Sequence, residues 1–146
     1  MSHSRSSRFD GIISVREHQK KQTTKELTLL TRQKLIEEQR LSSLHVEQTT
    51  AIRESFRNTR SKAGDVQANG AFLHRLADDL EEQRHTVERA EGLEKKKRAE
   101  LLERVKAQTV IERLQERIRE EERKESDKKE QNLLDTLGQR NSGTSV

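Results

Sequence analysis

Apolar residues along the first part of the chain recur at spacings that fit one heptad frame. Leu27, Leu30, Leu41 and Leu44 fall at its a and d places, with Ile13 two heptads before Leu27. From Phe9 to Arg60 there is no proline, and Gly11 is the lone glycine. This predicts one helix over 9–60, with Asp10 placed to cap its start. Near the helix end the apolar positions drift by steps of four to Ile52 and Phe56, which resembles a stutter. Lys20, Lys34 and Gln48 occupy a/d places, so the apolar seam is imperfect.

The strongest interior break is NTRSKAGDVQANGA, Asn58 to Ala71, which holds two of the six glycines together with Asn, Ser and Asp. A turn is expected over 61–70. The seam then restarts at Phe72, Leu73, Leu76 and Leu80, weakens around Glu94 to Lys97, and stops at Ile118. A second helix is expected over 71–137, with flexible ends at 1–8 and 138–146. Two long helices joined by one turn most simply fold back on each other. The predicted fold is all-α: an elongated antiparallel two-helix coiled-coil hairpin. If the turn centres near Gly64 and Asp65, Phe56 meets Leu73 and Ile52 meets Leu76. Leu41 then meets Val87, Leu27 meets Leu101 and Leu102, and Ile12 and Ile13 reach the level of Ile118.

In this register the second helix outruns the first by roughly 17 residues, or about 25 Å at 1.5 Å per residue. From Arg119 to Asn132 the overhang carries no apolar side chain. Leu133, Leu134 and Leu137 follow as a short stripe at i, i+1 and i+4. Such a stripe suits helix-in-groove recognition, and the charged run before it would steer toward a charged pore. The plainer reading is a solvated helix end whose leucines fold against Phe9, Ile12 or Ile13.

Composition narrows the classes. With 38% charged and 2% aromatic residues the chain cannot surround a three-dimensional core, but it suits long helices. The 30 Lys+Arg nearly balance 26 Asp+Glu and are interleaved with them, so no basic block marks a nucleic-acid partner. The absence of cysteine excludes disulfides and fits a reducing cytoplasm. No apolar run approaches the roughly 20 residues that span a bilayer, and no apolar h-region follows the basic N-terminus. His3, His18, His45, His74 and His85 lack metal-ligand spacing, and GDVQANG lacks the Gly-Lys-Ser/Thr close of a phosphate loop. A two-helix fold also offers no water-excluding pocket to perturb its carboxylates. No catalytic residue, metal or cofactor is expected.

Two stretches carry a family resemblance. RFDGIISVREHQKKQTTKEL resembles the opening of FliJ proteins, and TVIERLQERIREEERKESDKKEQNLLDTLGQR resembles their carboxyl end, with the Leu134-Asp135 pair after a charged run. The resemblance implies a non-enzymatic component of the flagellar type III export apparatus. Such a protein is the central stalk of the hexameric export ATPase and an adaptor to the cytoplasmic part of the export gate and to export chaperones. It implies a cytoplasmic place, peripheral to the membrane through partners. Family gate contacts match Phe72 and Leu76, while Asp79 and Gln83 depart from that face; core packing of Leu76 is the competing reading. The partner-binding candidates are therefore Leu133, Leu134, Leu137, Phe72 and Leu76. Three alternatives stand: a stalk of a virulence secretion ATPase, a generic parallel dimeric scaffold, and a chaperone-like module with an exposed apolar groove.

Overall fold

The computed structural model describes residues 4–57 and 63–144, and they form two helices: α1, Arg8–Arg57, and α2, Ala63–Thr144. Among the described residues there is no strand and no positive backbone φ. The expected all-α two-helix hairpin is therefore observed, although its boundaries differ. Residues 63–70, expected in the turn, are the first two turns of α2. Gly64 and Gly70 cost helix stability relative to alanine, roughly 1 kcal/mol each, but Ala63, Gln67, Ala68 and Ala71 favour it, and Asp65 suits the positive end of the helix dipole. Residues 58–62 lie outside the described residues, as do 1–3 and 145–146. At the other end α2 continues through the expected tail as far as Thr144. No proline interrupts it, and Gln131 bonds Asp135 across one turn at 3.2 Å.

The chain divides into two compact units: Met1–Gln22 with Leu102–Val146, and Thr23–Leu101. In the second unit reduced exposure recurs three and four residues apart along both helices. On α1 the series is Thr23, Leu27, Leu30, Lys34, Glu37, Leu41, Leu44, Gln48, Ala51 and Ser55. On α2 it is Leu73, Leu76, Leu80, Gln83, Val87, Ala90, Glu94, Lys97 and Leu101. Strict heptad recurrence is the signature of side chains packing into a facing helix.

No stutter occurs. Ile52 and Phe56 are exposed, Phe56 at 77%, and the seam instead runs through Ala51 and Ser55. Small residues let the two helices approach closely beside the reversal, whereas Phe56 at a seam place would hold them apart. The register near the reversal shifts accordingly. Leu76 lies beside Leu44 rather than Ile52, and Leu73 beside Ala51 and Ser55 rather than Phe56. α1 ends at Arg57 and α2 already begins at Ala63, ahead of the expected Gly64–Asp65 centre. Moving a turn by about four residues displaces facing partners by twice that number.

The gap expected at Glu94 to Lys97 is closed by charge. Glu94 is buried, with Lys34 Nζ 3.4 Å and Arg98 2.8 Å from its carboxylate. Lys97 donates to Glu26 at 2.7 Å and to Glu100 at 2.9 Å. Buried Glu37 accepts from Gln83 at both its side chain (2.7 Å) and its backbone carbonyl (3.0 Å). Glu26, Lys34 and Glu37 on α1 thus meet Lys97, Glu94 and Gln83 on α2.

In the first unit the seam is Ser6, Phe9, Ile13, Arg16 and Lys20 on the N-terminal side. Arg104, Gln108, Ile111, Gln115, Ile118 and Glu122 face it on α2. Arg104 donates to Gln19 at 2.7 Å, and Gln115 donates to Asp10 at 2.6 Å and to the Ser6 carbonyl at 3.0 Å. Asp10 is not the cap expected of it. The helix already starts at Arg8, and the Asp10 carboxylate reaches across to Gln115 and Arg119.

Candidate partner-binding surfaces

A helix end needs partners for its first N–H groups. Ahead of α1, Ser4 to Ser7 form a turn in which Ser7 N–H donates to the Ser4 carbonyl, and Phe9 and Asp10 N–H donate to Ser6 and Ser7. The described part of the expected flexible N-terminus is therefore docked. Glu122 accepts from Ser4 Oγ at 2.7 Å, Ser6 Oγ at 3.1 Å and Ser6 N–H at 3.2 Å, while Arg5 forks onto Glu125 at 3.2 Å. The serine run reads as a loose end in the sequence, yet its hydroxyl and amide donors are the signal for this carboxylate clasp.

The hydrogen bond from Ser4 holds the Glu122 carboxyl below its ordinary value of 4.5, with the Ser6 and Arg5 donors assisting against partial burial. A depressed carboxyl stabilises the docked form above its unfolded pKa, and that stability is lost as pH falls through the lowered value. The Glu122 bonds are therefore fully formed at neutral pH and weaken only as pH falls below the ordinary carboxyl value. In an NMR titration the Ser6 amide proton is expected to shift with this low midpoint in the native protein and to show no such step in Glu122→Gln. A Ser6 resonance indifferent to both changes would refute the clasp. Lys97 moves the opposite way: hydrogen bonds to Glu26, then Glu100, raise its pKa above 10.5, so its charge persists at any physiological pH.

Beyond Glu125, α2 runs on with every residue from 126 to 143 exposed. Leu133, Leu134 and Leu137 lie on this stretch at 61%, 55% and 47% exposure, away from Phe9, Ile12 and Ile13. They do not fold back on α1. Leucines held in water on an otherwise polar helix are apolar surface with no partner in the chain.

The other two candidates part company. Phe72 is 39% exposed and lines a shallow depression with Leu44, Glu47, Arg75, Leu76 and Asp79. Leu76 is 4% exposed and packs in the seam, so it supports the wall of that depression and has almost no surface to offer. Sequence spacing alone could not separate them, because both positions are apolar and one helical turn apart.

Among the described residues no group of three or more His, Cys, Asp or Glu is arranged to hold a metal ion. No described helix is long and apolar enough to cross a membrane. The family model of the flagellar FliJ protein matches residues 5–145, nearly the whole chain. No curated protein and no solved structure gives a significant match.

Proposed function

The chain belongs to the flagellar FliJ protein family, which makes it a flagellar export-related component, and from that premise we propose that it is the stalk of the export ATPase. In this reading the exposed stretch of α2 enters the pore of the hexameric ATPase, with Leu133, Leu134 and Leu137 as its apolar foothold. The protein catalyses nothing itself. A helix that binds the states of a ring unequally biases their populations. It also serves as adaptor to the cytoplasmic domain of the export gate and to export chaperones, with Phe72 and its depression as the gate contact. Its place is the cytoplasm at the inner face of the membrane, held there by partners.

The observation that carries this reading is the continuation of α2 past its last contact with the N-terminal segment, on a stretch that carries three exposed leucines. A generic parallel homodimer fits less well. In register it would set Lys34 against Lys34, Glu37 against Glu37 and Glu94 against Glu94, whereas within the hairpin Lys34 meets Glu94 and Glu37 meets Gln83.

The test is ATP hydrolysis by the cognate export ATPase, titrated with the full chain, with a chain ended after Glu125, and with Leu133→Ala/Leu134→Ala/Leu137→Ala. Ending after Glu125 keeps the Glu122 and Glu125 clasp intact. The full chain is expected to stimulate, and both variants are expected to lose most of that stimulation. Equal stimulation by all three would remove the leucines from the mechanism. No stimulation by any of them would remove the stalk reading.

A further inference from the structure

The two units differ in what fills their seams. Among the described residues the buried hydrophobics, Leu76, Leu80, Val87 and Ala90, all belong to the second unit. In the first unit the buried residues are Ser6, Gln108 and Gln115, and its apolar seam residues Phe9, Ile13, Ile111 and Ile118 are only half-buried. Gln108 Oε1 is buried without a hydrogen-bond partner, which costs stability in the closed form. Arg16, Lys20 and Arg104 occupy further seam places, where apolar side chains would hold the pair more firmly. The contacts at the N-terminal end are ion pairs and hydrogen bonds such as Arg5 to Glu125, with both side chains more than half exposed, and such pairs contribute little.

Gly11 adds a local weakness. It lies one turn inside α1, beside an open depression lined by Ile12, Val15, Arg16, Gln19 and Arg104. An added Cβ at Gly11 would meet nothing within 4 Å, so no close approach requires glycine there. α2, by contrast, is held by its own backbone hydrogen bonds and does not need the N-terminal segment to remain helical.

We propose that residues 4–22 form a detachable strap on α2: they lift from residues 102–125 while the Leu76 to Ala90 core of the second unit stays closed. Lifting uncovers Ile111 and Ile118 on α2, and frees Phe9 and Ile13 on the strap. The low-energy opening is a sub-global event, separable from complete unfolding. It stands independently of the ATPase reading, because it concerns the isolated chain.

Native-state hydrogen exchange on the full chain, followed residue by residue, tests it. Amides of residues 12–20 are expected to exchange at least tenfold faster than those of 76–90, with a denaturant dependence that is measurable but smaller, in proportion to the surface the strap uncovers. Gly11→Ala is expected to slow exchange in 12–20 by about fivefold and to leave 76–90 unchanged. Leu80→Ala is expected to speed exchange in 76–90 while 12–20 still open locally. Equal rates with equal denaturant dependence in both segments would overturn the strap, as would Gly11→Ala slowing both segments together.

Discussion

Replacing Leu76 with alanine is expected to lower stability by about 2–4 kcal/mol, the range for deleting a well-packed buried leucine. The side chain is 4% exposed and faces Leu44 across the seam. Few side chains are as deeply buried, and among the described residues Leu80, Val87 and Ala90 complete the set of buried hydrophobics. The loss is therefore a large share of a total that is of order 5–15 kcal/mol in ordinary domains. Phe72→Ala, one turn earlier on α2 and 39% exposed, is expected to cost under about 1 kcal/mol. Urea unfolding of the two variants side by side measures the contrast. A Leu76→Ala midpoint indistinguishable from the parent would refute the seam assignment. The contrast also bears on partner binding: a binding defect in Leu76→Ala reports on folding, whereas one in a stable Phe72→Ala reports on the surface.

The two helices, their antiparallel pairing and the exposed leucine stripe are legible in the sequence for one shared reason. Each is written in the spacing of apolar side chains, and Leu27, Leu30, Leu41 and Leu44 hold the expected frame in the structure. What is not legible lies where polar or small residues carry the packing. Following apolar residues alone leads from Leu44 to Ile52 and Phe56, because Ala51 and Ser55 look unremarkable beside them. Yet the facing helix fixes the phase, and a seam once established continues through whatever residues occupy it. Gly64 and Gly70 mislead in the same way. Glycine weakens a helix without forbidding it, and α2 extends through both. The N-terminal clasp is hidden because its bonds to Glu122 join residues far apart in sequence, with no period to announce them.

The Lys34–Glu94 contact decides whether the polar middle of the seam supports the pair or merely survives in it. Glu94 is nearly fully buried, Lys34 Nζ approaches to 3.4 Å, and Glu94 Oε2 has no hydrogen-bond partner within that contact. Removing one member of a deeply buried pair costs roughly 3–5 kcal/mol, because a charge is left uncompensated. Here Lys34 keeps 29% of its side-chain exposure, and Arg98 stays 2.8 Å from the same carboxylate. The loss expected for Lys34→Met is accordingly smaller, about 1–2 kcal/mol. Lys34→Glu, which sets two carboxylates face to face, is expected to cost more than Lys34→Met. Adding Glu94→Lys to Lys34→Glu restores opposite charges and is expected to recover a large part of that loss, although the ammonium introduced by Glu94→Lys would then meet Arg98. Replacing both by leucine is expected to be neutral or stabilising, since the desolvation cost disappears and heptad packing gains two apolar side chains. Denaturant midpoints for the single and double variants, read as a double-mutant cycle, isolate the pair. A coupling energy near zero would mean that Lys34 and Glu94 do not sense each other, and that Arg98 alone compensates the buried carboxylate. A substantial coupling, with the double leucine variant more stable than the parent, would identify the charged layer as a determinant of pairing rather than of stability. Opposite charges at Lys34 and Glu94 favour the intramolecular antiparallel register, whereas leucines there would accept any partner helix.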